Sequence, residues 1–168
     1  VSARRGHVDE TYNIDGHIEG VVVGGGYVWL LDYEDGGAVV RFDPTTGSVD
    51  KRIPLDGAPG AAAWFADHLW ASNDRGRLLQ IAPDGTVVSA TAGELKGEGL
   101  GYLWVNDPVT GLISSLGEDG TRGATVIPTE SGRITADGWG VRQVAEAGDR
   151  LWLMDDDFPF GTNLSIFD

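Results

Sequence analysis

Cysteine does not occur in the 168 residues, which excludes disulfide frameworks, thiolate metal sites and cysteine nucleophiles and leaves the redox compartment open. Basic residues are scarce, with 12 Lys and Arg against 26 Asp and Glu and a formal net charge of −14. Nucleic acid and anionic lipid surfaces hold proteins mainly through basic side chains, so neither fits as a partner; cations and basic ligands do. Long apolar runs are missing as well. None approaches the roughly 20 residues of a membrane helix, so no membrane insertion is expected, and the opening "VSARRGHVDE" lacks the apolar core of a signal peptide. A stretch with helical periodicity is equally hard to find: "APGAAAWFA" (58–66) and "GVRQVAEAG" (140–148) are short and bounded by Gly or Pro, and read as inner strands.

Catalytic signatures are sparse. No G-x-S-x-G, H-E-x-x-H, P-loop or EF-hand loop is present, and "GVVVGGG" (20–26) opens a strand rather than a nucleotide-binding helix. Of three histidines, His7 and His17 fall near the start, and His68 shares its position in a repeat with Tyr27, Tyr102 and Arg150, which marks a half-exposed strand site rather than a catalytic one. The balance is against an enzyme.

What the chain has is glycine, tryptophan and a repeat. Apolar residues make up 41%, Gly numbers 26 and Trp 6, enough for a folded core cut into many short strands. "YVWLLD" (27–32), "HLWASN" (68–73), "YLWVND" (102–107) and "RLWLMD" (150–155) share one pattern, each preceded by a short turn containing Gly or Asp. A further strand, a turn and another strand follow the first three, as in "AVVRFDPTTGSV" (38–49). Trp29, Trp70, Trp104 and Trp152 are spaced about as far apart as the roughly 40–50 residues of a four-stranded propeller blade.

These counts predict an all-β fold, a β-propeller of about four blades in a single domain over 1–168. The blades run roughly over 20–56, 57–93, 94–128 and 141–168, the last completed by a fourth strand from "HVDETYNI" (7–14). Closure in this way removes exposed strand edges; half of an eight-bladed ring made by two copies, or part of a longer propeller, are the alternatives. The four Trp are assigned to the core between sheets.

The opening "G-x-LW" of the second strand and the "D-P-x-T-G-x-V" link in "RFDPTTGSVDKRI" (41–53) resemble the blades of virginiamycin B lyase-like and YVTN-type bacterial propellers, with NHL repeats more distant. The resemblance spans nearly the whole chain. It implies the propeller fold and an extracellular or periplasmic location, and it carries as an alternative function a metal-dependent lyase or hydrolase of the virginiamycin B lyase or lactonase type. Those lyases use a catalytic His with metal-binding carboxylates, and no such arrangement can be matched to residues here.

Four loops joining second to third strands are expected on one end of the ring. They carry Asp32, Glu34, Asp35, Asp74, Asp107, Asp155, Asp156 and Asp157 against Arg75. Asp32, Asn73, Asp107 and Asp155 each stand three residues after a blade Trp, and a recurring Asx there is a turn cap accepting backbone N–H bonds. Asp156 and Asp157 have no counterpart in the repeat and are candidate ligands for Ca²⁺ or Mg²⁺. The long connection "PTESGRITADGWG" (128–140) adds Arg133 and Trp139, an aromatic outside the repeating positions. With Glu34, Asp35 and Asp74 they form the expected contact set for a protein or small-molecule partner of cationic character. The leading expectation is therefore a non-catalytic module for binding through this acidic face or for assembly, including a homo-oligomer that completes a larger ring.

Overall fold

The computed structural model describes residues 10–107, 109–110, 112–126, 141–148, 150–157 and 161–167, with the backbone alone for 124–126, 141–142, 155–157, 161–165 and 167. Four antiparallel sheets follow one another along the chain. The first is β1 (Ile18–Gly24), β2 (Tyr27–Asp32), β3 (Ala38–Asp43) and β4 (Ser48–Pro54); the second is β5 (Pro59–Phe65), β6 (His68–Asn73), β7 (Arg77–Ile81) and β8 (Val87–Ala92). The third is β9 (Glu94–Gly99), β10 (Tyr102–Asn106), β11 (Ile113–Leu116) and β12 (Arg122–Val126), and the fourth is β13 (Val141–Ala147), β14 (Arg150–Asp157) and β15 (Gly161–Phe167). In every sheet the strands pair in sequence order. No helix among the described residues is long and apolar enough to cross a membrane.

Local chemistry sets the hairpins. The two-residue turn between β1 and β2 has φ of 62° at Gly25 and 83° at Gly26, the left-handed backbone that matches the twist of the flanking strands. The second and third sheets turn the same way at Ala66–Asp67 and Leu100–Gly101, again with positive φ. Between β3 and β4, Asp43 Oδ1 accepts from the Thr45 amide at 2.7 Å and Gly47 N donates to Asp43 O at 2.9 Å, an Asx turn that reverses the chain.

The sheets pack face to face, β1 against β5, β5 against β9 and β9 against β13. The second-strand Trp of each of the first three sheets fills the joint with the sheet that follows. Trp29 packs with Leu69, Ala71, Leu79 and Ile81, Trp70 with Leu95, Leu103 and Val105, and Trp104 with Val144, Leu151 and Leu153. The indole nitrogens of these three donate to Gly24 O (3.0 Å), Phe65 O (3.3 Å) and Gly99 O (3.0 Å), the carbonyl five residues back in each sheet. A buried ring is thereby anchored without an unpaired donor. Polar ties reinforce the joints: Arg41 pairs with Asp50 through two bonds of 2.7 and 2.8 Å, lies 4.2 Å from the Tyr27 ring centroid and reaches Pro83 O in the second sheet.

One expected element lies only partly within the described residues. The fourth sheet has three described strands, and residues 10–14 do not form the strand that would complete it. They lie instead against the first sheet, where the Tyr12 ring meets Phe42 edge-on at 4.9 Å and Ile14 packs on Leu30, Val40 and Phe42. Ile14 is partly buried there and Tyr12 stays exposed; residues 7–9 lie outside the described residues.

Candidate functional site

The loops after β2, β6 and β10 leave the same end of three successive sheets, because each sheet repeats one up-and-down order. At the mouth of each loop stands an Asx side chain bonded to loop amides. Asp32 Oδ1 accepts from Glu34 N and His17 N, both at 3.0 Å. Asn73 Oδ1 accepts from Arg75 N (3.1 Å) and Arg77 N (2.9 Å) while its Nδ2 donates to Leu55 O at 2.7 Å. Asp107 Oδ1 accepts from Val109 N (2.9 Å) and Thr110 N (3.0 Å). These bonds use the side chains to shape the loops.

Asp32 is fully buried. Burial alone would push its carboxyl up, but the Glu34 amide, Arg52 and the His17 amide outweigh it and hold it below the usual carboxylate range. Arg52 Nη1 stands 2.6 Å from Oδ2 as an ion pair rather than an aligned hydrogen bond, which leaves Oδ2 without a hydrogen-bond donor. The Thr110 and Val109 amides likewise lower Asp107. Asp56, in the link between β4 and β5, pairs with Arg77.

With those groups engaged, Glu34, Asp35 and Asp74 remain as exposed carboxylates on the loop end, beside exposed Arg75. The Glu34–Gly36 stretch is a single 3₁₀ turn with Asp35 at φ 51°, a left-handed backbone that Asp tolerates better than most residues. Among the described residues, no three His, Cys, Asp or Glu side chains converge as a metal-ligand set. Asp156 and Asp157 were expected in a loop; the β14 ladder instead continues through them, Asp156 opposite Thr162 and Asp157 opposite Gly161. Asp155 pairs with Val141 and Asn163 in the same ladder. The side chains of these three aspartates, and all of Arg133 and Trp139, lie outside the described residues. His68 is half-buried and its Nδ1 is 2.7 Å from Ala66 O, a local turn contact.

A feature not singled out from the sequence is a cavity of about 1180 Å³ walled by β1, β5, β9 and β13 and touched by Val21, Val23, Ala62, Lys96, Glu98 and Gln143. Lys96 Nζ is bonded to Glu94 at 2.9 Å, and Glu146 caps the Leu100 amide at 2.6 Å. The runs of small residues in "GVVVGGG" and "APGAAA" were its signal, since small side chains on innermost strands keep an axis open.

No family model matches the chain, and no curated protein does either. Solved structures do. BamB from Moraxella catarrhalis is 16% identical with a TM-score of 0.66, covering 92% of this chain and 54% of its own. The Swd1 β-propeller domain from Myceliophteria thermophila is 13% identical with a TM-score of 0.64, over 94% of this chain and 54% of its own. Virginiamycin B lyase from Staphylococcus aureus is 15% identical with a TM-score of 0.60, over 91% and 56%. The fold is a β-propeller. The described part of this propeller amounts to about four blades, and the chain spans a little over half the length of these three structures.

Proposed function

We propose that this propeller is a non-catalytic binding module whose acidic loop end engages a cationic partner, a basic protein segment or a small cationic molecule. The observation that carries the reading is the division of labour among the carboxylates. Asp32 and Asp107 are consumed in holding the loops, whereas Glu34, Asp35 and Asp74 are exposed on those same held loops. Charge of one sign on a rigid platform raises the local concentration of an opposite charge and speeds its encounter. The net charge of −14 acts in the same direction.

The test is titration of a lysine-rich peptide at low and high salt against the wild type and against Glu34→Lys/Asp35→Lys/Asp74→Lys. A control variant reverses Glu118 and Asp119 in the turn between β11 and β12, at the other end of the sheets. The reading expects at least tenfold weaker binding for the loop variant, little change for the control, and affinity that falls with salt. Equal loss in both variants would reduce the effect to net charge and defeat the assignment to this face.

A further inference from the structure

At the end of the sheets away from the loops after β2, β6 and β10, the cavity lined by β5, β9 and β13 gathers aromatic rings and charge. From β5 come Ala61, Ala62 and Ala63, small enough to leave that space of about 1180 Å³ open. The other two strands bring charge. Glycine lets their backbones close on each other: a Cβ on Gly97 would stand 2.1 Å from Val144 O, and one on Gly99 would stand 3.1 Å from Glu146 Cβ. The ladder of β9 with β10 also skips Lys96, between Gly97 opposite Trp104 and Leu95 opposite Val105. A bulge of this kind re-aims a side chain. Lys96 Nζ meets Glu94 Oε2 at 2.9 Å, so its charge is neutralised.

Strand register sets which way the other groups face. Glu98 opposes Leu103, a member of the joint between the second and third sheets on which Phe65 also packs. Tyr102 stands one residue before Leu103 and so takes the other face, that of Trp104, toward the fourth sheet. From that sheet Glu146 opposes Leu151, which packs with Trp104, and Glu146 Oε2 accepts from the Leu100 amide at 2.6 Å. Phe65, Glu98, Tyr102 and Glu146 therefore follow one another around one end of the cavity, ring and carboxylate in alternation, and all four line it. Tyr102 is 46% exposed. The Glu98 carboxylate is exposed too, and no hydrogen bond or ion pair engages it among the described residues.

This alternation suits one chemical class. An aromatic face attracts a cation, a carboxylate adds opposite charge, and the alanine wall accepts apolar bulk. We propose that the cavity binds a monovalent organic cation, a protonated or alkylated amine on an apolar body, with Glu98 and Glu146 supplying charge and Phe65 and Tyr102 supplying rings. An anion finds no free basic group here, because Lys96, the basic side chain that lines the cavity among the described residues, is held by Glu94. The four residues face the joints between the second, third and fourth sheets, so the site is the same whatever adjoins the first sheet or the outer face of the fourth. It lies at the opposite end from Glu34, Asp35 and Asp74 and does not depend on what they bind.

The test is calorimetric titration in about 0.15 M salt with phenethylammonium, its neutral analogue 2-phenylethanol and the anion 3-phenylpropionate. The proposal expects the cation to bind about fivefold or more tightly than either analogue. Glu98→Gln and Tyr102→Ala should each weaken it about fivefold, whereas Tyr102→Phe, which keeps the ring, and the loop variant Glu34→Gln/Asp35→Asn/Asp74→Asn should bind it as the wild type does. Both substituted side chains are exposed, so urea midpoints should stay at the wild-type value; Glu98→Gln is isosteric and decides alone should Tyr102→Ala lower it. Absence of binding at millimolar phenethylammonium overturns the proposal, and so does equal binding of 3-phenylpropionate. Unchanged affinity in Glu98→Gln overturns it as well. A loss confined to the loop variant would place the cation at the loop end and overturn the cavity assignment while leaving the acidic-face reading intact.

Discussion

Removing the Asp32 carboxylate is the sharpest test of how the loops are held. In Asp32→Ala the His17 and Glu34 amides, 3.0 Å from Oδ1 in the native protein, lose a charged acceptor at a site closed to water. Hydrogen bonds to a charged group contribute roughly 1.5–3 kcal/mol each. The Arg52 partner is 42% exposed, so that pair is screened and adds only about 0–1 kcal/mol. The total expected loss is about 3–7 kcal/mol. Asp32→Asn retains an acceptor, as Asn73 does in the second sheet, and should lose about 1–2 kcal/mol. The assay is urea unfolding at a series of pH values. Because the folded carboxyl lies below its ordinary value, its contribution is fully present above the unfolded value of about 3.9 and is lost as pH falls through the folded value. The gap between wild type and Asn should therefore be constant from pH 7 to about 5 and narrow below about 4. An alanine variant within about 0.5 kcal/mol of wild type, or a gap that does not change with pH, would refute the reasoning.

The joints give a graded series. Trp29→Ala or Trp104→Ala should cost about 3–5 kcal/mol in urea melts, whereas Trp152→Ala, half-buried and with no acceptor for its Nε1, should cost about 1–2 kcal/mol; equal losses would contradict the difference in burial. Gly24→Ala places a Cβ 2.0 Å from Trp64 Cδ2 and should displace the ring stacked on Trp29, lowering stability by about 1–3 kcal/mol with a change in tryptophan fluorescence; an unaltered spectrum and melting temperature would count against that packing. On the binding-module reading thermal unfolding with EDTA or millimolar Ca²⁺ gives the same midpoint; a rise with Ca²⁺ that Asp156→Asn/Asp157→Asn abolishes would support the metal reading instead.

The parts of this fold that a sequence can show are those fixed within one sheet. Trp29, Trp70 and Trp104 recur before an Asx because each sheet must fill its joint and then turn, so the propeller and its strand order could be read from residue spacing. Asp156 and Asp157 could not be placed in the same way. Aspartate disfavours strands, and nothing local reveals that the β14 ladder runs on to Thr162 and Gly161. The first segment shows the limit most clearly. "HVDETYNI" has the pattern of a fourth strand, and residues 10–14 lie on the first sheet, yet the pattern is silent on which strand such a segment pairs with. Each of the first three sheets carries a Trp for the sheet after it, and each following sheet an apolar column to receive it. The repeat therefore encodes the joint. How many joints close the ring is decided by the angle each one sets, and that angle depends on side chains such as Trp64 wedged between Gly24 and Trp29, which no count of spacings contains.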